Sequence, residues 1–305
     1  MSKYAEQRVR LEDRNSSTTK ITDLVTQGAR VLDVGCSSGY LGETLIAEKG
    51  ARVWGVEIDE SDAARARQRG FQEVAVADLD QFDWTPFAAM KFDYILFADV
   101  LEHLKNPGHA LKQAVRVLAR GGRVIASIPN VAHISLRLEL LEGGFAYEEV
   151  GLLDDTHLKY FTRETIEQLF KAAGLVVSQV DATIVDLPDD LVRARLAKIG
   201  LEPGERFWQA MAREDARAYQ YLVVAGRGGG RAGPIQLPIK TVMALARLES
   251  ERKLALAEAE RLRQQSIALD SELHAARQKL DEIVGSRSWK LALALRTAYR
   301  KVRPR

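Results

Sequence analysis

The amino-acid sequence predicts an α/β fold in which seven strands form a mostly parallel sheet covered by helices. Short apolar runs rich in β-branched residues alternate with amphipathic segments between residues 15 and 226, a pattern typical of parallel sheets. A glycine-rich turn at residues 35–39 follows the first run, and an acid stands at the carboxyl end of each of the first three runs, at Asp33, Glu57 and Asp78. Because parallel strands share one carboxyl edge, we expect a ligand site there.

The first strand, residues 31–34, ends in the turn Gly-Cys-Ser-Ser-Gly. Gly35 and Gly39 can adopt backbone angles that side chains forbid, so the chain can turn tightly and a ligand can approach the backbone. A helix predicted over residues 41–48 begins directly after the turn, and its free N–H groups favour an anionic group. Taken alone, the two glycines are also explained by close packing of the strand against the helix.

The second strand, residues 51–59, contains Glu57. This acid lies about twenty residues beyond the glycine turn, where nucleoside-binding α/β units place a carboxylate for the two ribose hydroxyls. A dinucleotide-binding unit normally carries Gly-x-Gly-x-x-Gly, and the turn at residues 35–39 does not fit that pattern.

The stretches D-V-G-C-S-S-G-Y-L-G (33–42) and G-V-E-I-D (55–59) resemble the class I S-adenosylmethionine-dependent methyltransferases. The resemblance extends over residues 15–226 and implies a Rossmann-like seven-stranded sheet with S-adenosyl-L-methionine as cofactor. In that family the glycine turn faces the methionine part, the acid of the second strand holds the ribose, and an acid after the third strand contacts the adenine amino group. For Asp78 the alternative is a solvated strand-end aspartate. The implied cofactor-binding residues are Asp33, Gly35, Cys36, Gly39, Glu57, Ile58, Asp78, Leu79 and Asp99.

The remaining elements follow from the same alternation. Residues 15–19 offer hydroxyl and amide caps for a helix over 20–27, and Thr162 is placed to cap a helix over 163–173 that Gly174 ends. The other predicted helices cover 60–69, 107–118 and 133–141, with a polar helical insertion at 189–216, and the other strands cover 73–78, 92–99, 123–130, 175–183 and 219–225. The last two strands lack a clear crossover helix, which allows one of them to run antiparallel.

Methyl transfer to a hydroxyl requires an aligned acceptor and a base that removes the hydroxyl proton. His157 is the predicted base, because the acids Asp154 and Asp155 precede it and can orient its ring. The segment D-D-T-H-L-K-Y-F-T (154–162) resembles the D-x-T-H-L-[KR]-[FY]-F-T signature of a methyltransferase branch common in bacterial glycan and natural-product gene clusters, as does I-P-N-V-A-H at 128–133. The alternative is a histidine that only holds its loop in place.

Asp99, Glu102 and His103 lie at positions i, i+3 and i+4 and can share a helix face. One alternative is a metal site with His157 as a fourth ligand, because small-RNA 2′-O-methyltransferases use a similar E-x-x-E-H arrangement with a divalent metal. The stretch D-V-L-E-H-L (99–104) also resembles metal-free relatives, including the ubiquinone-pathway O-methyltransferases. That resemblance places Asp99 near the cofactor and Glu102 and His103 near the acceptor. We therefore predict no metal and take His103 as a second catalytic candidate.

Cysteine usage and hydropathy predict a cytoplasmic protein. Cys36 is the single cysteine, so no intrachain disulfide can form, and a reducing compartment is favoured. Within the glycine turn it is interpreted as a small filler rather than a catalytic thiol. The sequence shows no signal-peptide pattern and no run of about 20 apolar residues that would span a bilayer.

Residues 227–305 differ from the acidic body, residues 1–226. A glycine-rich linker is predicted at 227–238, followed by a coiled-coil helix at 239–284. Its seam alternates steps of three and four residues: Leu245, Leu248, Arg252, Ala255, Ala259, Leu262, Ser266, Leu269, Leu273, Ala276, Leu280 and Ile283. A coiled coil implies a homodimer or a hetero-partner, and the alternative is a lone solvated helix.

The basic arm carries the other partner predictions. Residues 227–305 hold 17 Lys or Arg against 8 Asp or Glu, whereas residues 1–226 hold 27 against 34. The tail, residues 285–305, combines seven Lys or Arg with Trp289 and Tyr299 and has no acid, which suits an anionic membrane surface such as the inner membrane. Packing on the coiled coil is the alternative. We do not expect nucleic acid, because no recognition motif accompanies the charge.

The stretch S-R-S-W-K-L (286–291) resembles tails of bacterial glycosyltransferases and methyltransferases that build surface polysaccharides. The sequence therefore predicts an S-adenosylmethionine-dependent methyltransferase that O-methylates a sugar or glycan acceptor in cell-surface polysaccharide biosynthesis. One alternative is an O-methyltransferase of a small phenolic or quinone-like metabolite. Another is a non-catalytic, cofactor-binding scaffold in an assembly complex. The intact set of cofactor-binding residues argues against the scaffold, because an unused pocket would not need all of them.

Overall fold

The computed structural model describes residues 8–228 and nine isolated helical positions, 263, 273, 277–279, 282, 291, 295 and 296. The chain divides into two compact units, Met1–Ile235 and Gln236–Arg305. Apart from those nine positions, the predicted coiled coil (239–284) and basic tail (285–305) lie outside the described residues, as does the linker beyond residue 228. Residues 8–228 belong to the first unit.

Within residues 8–228, seven strands form one sheet. The strands are β1 Arg30–Val34, β2 Arg52–Glu57, β3 Val74–Val76, β4 Phe92–Ala98, β5 Leu118–Pro129, β6 Leu175–Ile184 and β7 Ala218–Arg227. Their spatial order is β3-β2-β1-β4-β5-β7-β6. β7 runs antiparallel to β5 and β6, and the other neighbouring pairs are parallel. The predicted mostly parallel sheet is confirmed, and the antiparallel member is the last strand.

Helices cover both faces of this sheet. They are α1 Ser17–Leu24, α2 Tyr40–Lys49, α3 Glu60–Gln68, α4 Pro107–Val117, α5 Ile134–Leu141, α6 Arg163–Ala172, α7 Asp189–Lys198, α8 Glu205–Met211 and α9 Glu214–Arg217, with short 3-10 helices at Thr85–Phe87 and Leu101–His103. Successive strand side chains point to opposite faces, so Val31 and Leu32 of β1 are both fully buried but belong to separate apolar clusters. Burial on two faces explains why the central strands are continuously apolar.

Several element boundaries differ from the prediction. α1 begins at Ser17 and ends at Leu24 instead of covering residues 20–27. β5 begins at Leu118, five residues early, because Leu118 pairs with Phe92 of β4 before the register shifts. The intervening Gly121 has φ +80°, a conformation open to glycine that lets the strand bulge and continue. The Thr162 cap is confirmed: its hydroxyl accepts the Thr165 backbone N–H, and the Thr165 hydroxyl accepts that of Thr162.

One buried amide brings β7 to the carboxyl edge of β5. Asn130 follows β5, and its side-chain nitrogen donates to the carbonyl oxygens of Asp215 and Ala218 at 2.8 Å each. The Asn130 backbone N–H donates to the Tyr219 carbonyl at 2.9 Å. These hydrogen bonds hold the start of β7 beside the end of β5. Residues near position 220 therefore lie at the carboxyl edge of the parallel strands, where the sequence predicts a ligand site. Among the described residues, no helix has the length and apolar character needed to cross a membrane.

Candidate active site

A cavity of about 670 Å³ opens at the carboxyl ends of β1 to β4, in the size range that encloses small-molecule ligands. Its lining contains eight of the nine predicted cofactor residues: Asp33, Gly35, Cys36, Glu57, Ile58, Asp78, Leu79 and Asp99. Both predicted catalytic histidines, His103 and His157, and the neighbouring Glu102 also line it. Residues spread over 125 positions of the chain thus meet in one place because parallel strands align their carboxyl ends.

The turn after β1 is tight because two of its glycines adopt positive φ angles, +72° at Gly35 and +83° at Gly39. A Cβ at Gly35 would lie 2.7 Å from Cγ2 of Val100, which lines the cavity. A Cβ at Gly39 would lie 2.7 Å from the Ala66 Cα in α3. Gly39 is therefore placed for close packing of α2 on α3, and it lies outside the cavity lining.

Backbone amides hold the Glu57 carboxylate at the end of β2. Oε2 accepts from the Ser37 N–H at 2.7 Å, and Oε1 accepts from the N–H groups of Ile58 and Asp59 at 2.8 and 2.9 Å. A carboxylate offers about four acceptor positions, so a position on Oε2 remains for a donor in the cavity. The hydrogen bond from Ser37 therefore connects the glycine turn after β1 to Glu57 at the carboxyl end of β2.

Asp33 has the opposite environment. It is 2% exposed, and its Oδ2 has no hydrogen-bond partner within the described part of the chain. Burial, reinforced by the negative charge of Glu57, raises the pKa of Asp33 to about 7. A buried carboxylate oxygen without a donor is energetically costly, so this atom is suited to receive one from a ligand. The ammonium of an amino-acid moiety is such a donor.

The loop after β3 is held against the loop after β4. Asp80 accepts the backbone N–H groups of Lys105 and Asn106 at 3.0 Å each. Asp78 accepts the Asp80 N–H at 3.0 Å and the Gln81 side-chain amide at 3.0 Å. Ile58 is 67% exposed in the cavity wall. These hydrogen bonds join the two loops in a cavity wall that combines an apolar surface with carboxylate acceptors.

Asp99 lines the cavity and has a strained backbone conformation, φ +56°, which is uncommon for a residue with a side chain. Its Oδ1 accepts from the Ser127 hydroxyl at 3.0 Å and from the Gln220 side-chain amide at 2.7 Å. Burial raises the pKa of Asp99 to about 6, although these two hydrogen bonds oppose the shift. Sequence reasoning missed Ser127 and Gln220, because neither belongs to a recognisable motif.

A second group forms the other end of the cavity. Glu102, His103 and His157 each offer a side-chain atom within 4.8 Å of the others. The His157 loop is fixed there because the N–H groups of Leu158 and Lys159 donate to the Glu102 carbonyl at 2.9 Å each. The two imidazole rings meet edge to face with centroids 4.8 Å apart. Asp99 is not a member of this group.

The two histidines and the glutamate differ in their surroundings. His157 Nδ1 lies 3.2 Å from the Leu152 carbonyl and donates to it, which makes Nε2 the basic nitrogen of the neutral ring. His103 Nδ1 lies 3.2 Å from the Thr156 carbonyl. Glu102 is 1% exposed, and neither of its carboxyl oxygens has a partner among the described residues. Burial and the charge of Asp99 raise the pKa of Glu102 well above its ordinary value.

His133, in the I-P-N-V-A-H stretch, has a different role. It caps α5 by accepting the Ser135 N–H at Nδ1, and Nε2 donates to the Val185 carbonyl at 2.8 Å. It is fully buried and is absent from the cavity lining. The resemblance of this stretch to the methyltransferase branch therefore coincides with a structural histidine.

The strand order, the glycine turn after β1 and the cavity at the carboxyl edge define a class I S-adenosylmethionine-dependent methyltransferase domain. Residues 5–180, more than half of the chain, match the methyltransferase-domain family, and the chain belongs to that family. S-adenosylmethionine is the cofactor of this class of domain.

Known relatives agree with that assignment. The ubiquinone biosynthesis O-methyltransferase of Aeromonas salmonicida (strain A449) is 26% identical over 153 residues, 49% of this chain and 64% of that protein. The 27-O-demethylrifamycin SV methyltransferase of Amycolatopsis mediterranei (strain S699) is 30% identical over 122 residues, 35% of this chain and 43% of that protein. The chain thus spans less than two thirds of these relatives.

A crystal structure of a SAM dependent methyltransferase from Archaeoglobus fulgidus has the same fold. It is 19% identical, superposes with a TM-score of 0.50, and the match covers 71% of this chain and 94% of that one.

Proposed function

We propose that this chain is an S-adenosylmethionine-dependent O-methyltransferase that methylates a hydroxyl of a sugar or glycan. The observation that carries the proposal is that one cavity joins the carboxylates of β1 and β2 to the Glu102–His103–His157 group, in which Glu102 and His157 are buried and His103 is partly exposed. One end supplies acceptors for an amino-acid ammonium and a ribose, and the other supplies an imidazole base. The names of the relatives, a ubiquinone-pathway and a rifamycin O-methyltransferase, support a hydroxyl as the methylated group.

The residues at the first end fit the cofactor. Asp33 Oδ2 is the unpartnered acceptor for the ammonium, Glu57 Oε2 retains a position for a ribose hydroxyl, and Asp78 lies farther along the wall for the adenine amino group. The bound cofactor supplies an activated methyl group on its sulfonium. The protein orients that group, excludes water and holds the acceptor oxygen in line.

His157 is the proposed general base. Donation from Nδ1 to the Leu152 carbonyl orients the ring and makes Nε2 the nitrogen that takes the acceptor proton. His157→Asn keeps a planar polar side chain but cannot act as a base near neutral pH, so kcat should fall by ~10²–10⁴-fold with little change in cofactor affinity. Near-normal kcat with intact cofactor binding would refute this role and leave His157 as a residue that fixes its loop.

A divalent metal at Glu102, His103 and His157 is the second candidate for the chemistry of this end. Three donor atoms within 4.8 Å favour it, although Asp99, the fourth member of the sequence-based alternative, is bonded to Ser127 and Gln220 instead. Turnover that survives exhaustive chelation would exclude the metal. Loss on chelation with recovery on adding Mg²⁺ or Mn²⁺ would establish it in place of His157 as base.

Two observations bear on the class of acceptor, and they favour different molecules. The tail motif favours a sugar or glycan hydroxyl, whereas the names of the relatives favour a phenolic or quinone-like hydroxyl. We propose the sugar or glycan acceptor, with the phenolic metabolite as alternative. Assays with labelled cofactor against both acceptor sets decide between them. Cofactor binding without turnover of any acceptor would favour the scaffold alternative.

The proposed partners and location rest on the sequence of the basic arm, residues 227–305. We propose a cytoplasmic protein that dimerises or binds a hetero-partner through residues 239–284 and contacts anionic membrane through residues 285–305. Sedimentation with anionic vesicles tests the second point, since a chain ending at residue 284 should no longer sediment. Equal sedimentation of both chains would assign no membrane role to the tail.

Calorimetric titration with S-adenosylhomocysteine tests the proposed class directly. We expect micromolar binding to the wild type and at least ~tenfold weaker binding to Glu57→Gln, whose amide cannot accept all three backbone donors. Glu73→Gln is the matched control, because Glu73 precedes β3 and is exposed. A folded wild type that does not bind the ligand would overturn the enzyme proposal.

A further inference from the structure

The cavity has a one-sided distribution of charge. Its described lining contains carboxyl groups and histidines but no lysine or arginine. The acids are Asp33, Glu57, Asp59, Asp62, Asp78, Asp80, Asp99, Glu102 and Asp154. A cavity lined by one sign of charge concentrates ligands of the opposite sign and disfavours ligands of the same sign.

Most of these acids already receive donors from the protein. Glu57 accepts three backbone amides, Asp59 accepts the Asp62 N–H at 2.9 Å, and Asp80 accepts two amides of the neighbouring loop. Asp62 is paired with Arg65 at 2.8 Å. These carboxylates shape the cofactor end, and each of them already has at least one donor from the protein.

Glu102 differs from them. Its side chain is 1% exposed, lines the cavity and lacks a partner at both oxygens within the described residues. Leaving two buried carboxyl oxygens unpaired is costly, and a bound molecule with hydrogen-bond donors would relieve that cost. The carboxyl lies within 4.8 Å of the His103 and His157 nitrogens. It therefore lies at the acceptor end, beside the proposed base.

We propose that the reacting end of the acceptor is uncharged or cationic and rich in hydrogen-bond donors, and that Glu102 is the specificity-determining residue that holds it. This inference rests on the proposed function and narrows its substrate class. Adjacent hydroxyls or a hydroxyl beside an amine satisfy both Glu102 oxygens. A nucleotide sugar or a phosphorylated sugar does not fit, because its phosphates would enter an acidic cavity whose described lining offers no lysine or arginine.

The test uses binding, so that it does not depend on knowing the acceptor. The probes are stable analogues of S-adenosylmethionine in which nitrogen replaces sulfur and the methyl group is replaced by a short arm. The arms end in a hydroxyl, an ammonium or a carboxylate, and the parent carries a methyl group. Each arm projects from the reacting atom toward the acceptor end. Dissociation constants are measured by calorimetry with the full-length chain.

We expect the hydroxyl and ammonium arms to bind at least ~tenfold more tightly than the carboxylate arm, because like charges oppose one another in a buried site. Glu102→Gln should reduce that preference to within ~threefold, since donors on an arm stabilise the ionised form of the Glu102 carboxyl, whereas an amide keeps the side-chain shape but cannot ionise. Glu148→Gln is the matched control, because Glu148 is an exposed acid outside the cavity lining, and it should leave the preference intact.

Three results would overturn the inference. The first is a carboxylate arm that binds the wild type as tightly as the hydroxyl arm does. The second is an unchanged preference in Glu102→Gln. The third is tight carboxylate binding only with added Mg²⁺, which would assign Glu102 to a metal. Failure of the parent analogue to bind is a separate result, because it would refute the proposed cofactor and not the charge of the acceptor end alone.

Discussion

Glu57 and Asp33 stand at the carboxyl ends of neighbouring strands, yet their carboxylates differ in hydrogen bonding. Glu57 is fixed by three backbone amides, whereas Asp33 Oδ2 has no partner in the described residues. The first arrangement orients a charged acceptor in advance. The second leaves a buried acid whose charge is costly until a cationic donor arrives, so cofactor binding and the ionisation of Asp33 should be linked.

That linkage gives a pH dependence. The pKa of Asp33 is raised to about 7, so its carboxyl ionises between roughly pH 6 and pH 8, while the ammonium of S-adenosylhomocysteine remains charged. Affinity should therefore rise about tenfold from pH 6 to pH 8, and Asp33→Asn should abolish this rise. Calorimetry across the range measures it. An unchanged pH dependence in the variant would show that another group is responsible.

The unliganded protein should show the opposite trend. The folded-state pKa of Asp33 lies above the ordinary value of 3.8, so the folded state retains a proton that the unfolded state has released. The stabilising contribution of the protonated form is therefore complete below about pH 4 and is lost as the pH rises to about 7. Ligand binding thus favours the ionised form of Asp33, whereas folding of the unliganded protein favours the protonated form.

Sequence reasoning at the residue scale was most effective where a residue stands directly at a strand end. Asp33, Glu57 and Asp78 were selected in this way, and all three line the cavity. Ser127 and Gln220, which bind Asp99, were not selected. Their contacts depend on strand order and register, which side-chain type alone does not encode.

At the scale of elements, the turn between β1 and α2 is sensitive to added volume. Gly35→Ala would combine the cost of a positive φ, about 1–2 kcal/mol, with a clash at 2.7 Å against Val100. We expect a total destabilisation of ~2–5 kcal/mol and loss of S-adenosylhomocysteine binding. Denaturant unfolding and calorimetry measure both effects.

Gly28 provides the matched control for this turn. It also has positive φ, +70°, but a Cβ there would have no atom within 4 Å. Gly28→Ala should cost only the backbone term of about 1–2 kcal/mol and should leave ligand affinity unchanged. Equal effects of the two substitutions would indicate that the close approach of Val100 does not constrain the turn.

Helix α6 follows the His157 loop and begins with a reciprocal cap between Thr162 and Thr165. Thr162→Ala should reduce the free energy of unfolding by about 1 kcal/mol. Ser16 precedes α1 without a side-chain cap bond, so Ser16→Ala should cost distinctly less, and chemical denaturation compares the two. A larger loss at Ser16 would contradict this reading of the caps.

At the scale of the whole molecule, the first compact unit contains the complete sheet and the cavity. A chain ending at Gly228 should therefore retain S-adenosylhomocysteine binding within about twofold. If residues 239–284 form the predicted coiled coil, light scattering should show a dimer for the full chain and a monomer for the shortened one. A shortened chain that remains dimeric would place the interface in the domain itself.

The sequence by itself determined the element order, the glycine turn and the acids at the strand ends. Those features are local: hydrophobic periodicity, glycine positions and spacing along the chain express them directly. The same local signals predicted that a late strand could run antiparallel, because no crossover helix separates the last two strands. The family resemblance then supplied the cofactor.

Only the tertiary structure decided which side chains share the cavity and which of them remain unpaired. Glu102 and His157 are 55 positions apart, and they meet because the Leu158 and Lys159 amides bind the Glu102 carbonyl. Gly39 was selected for ligand contact, but the structure places it against α3. Burial and hydrogen-bond satisfaction arise from the packing of distant segments, so the sequence could nominate these residues but could not show which of them lack a partner.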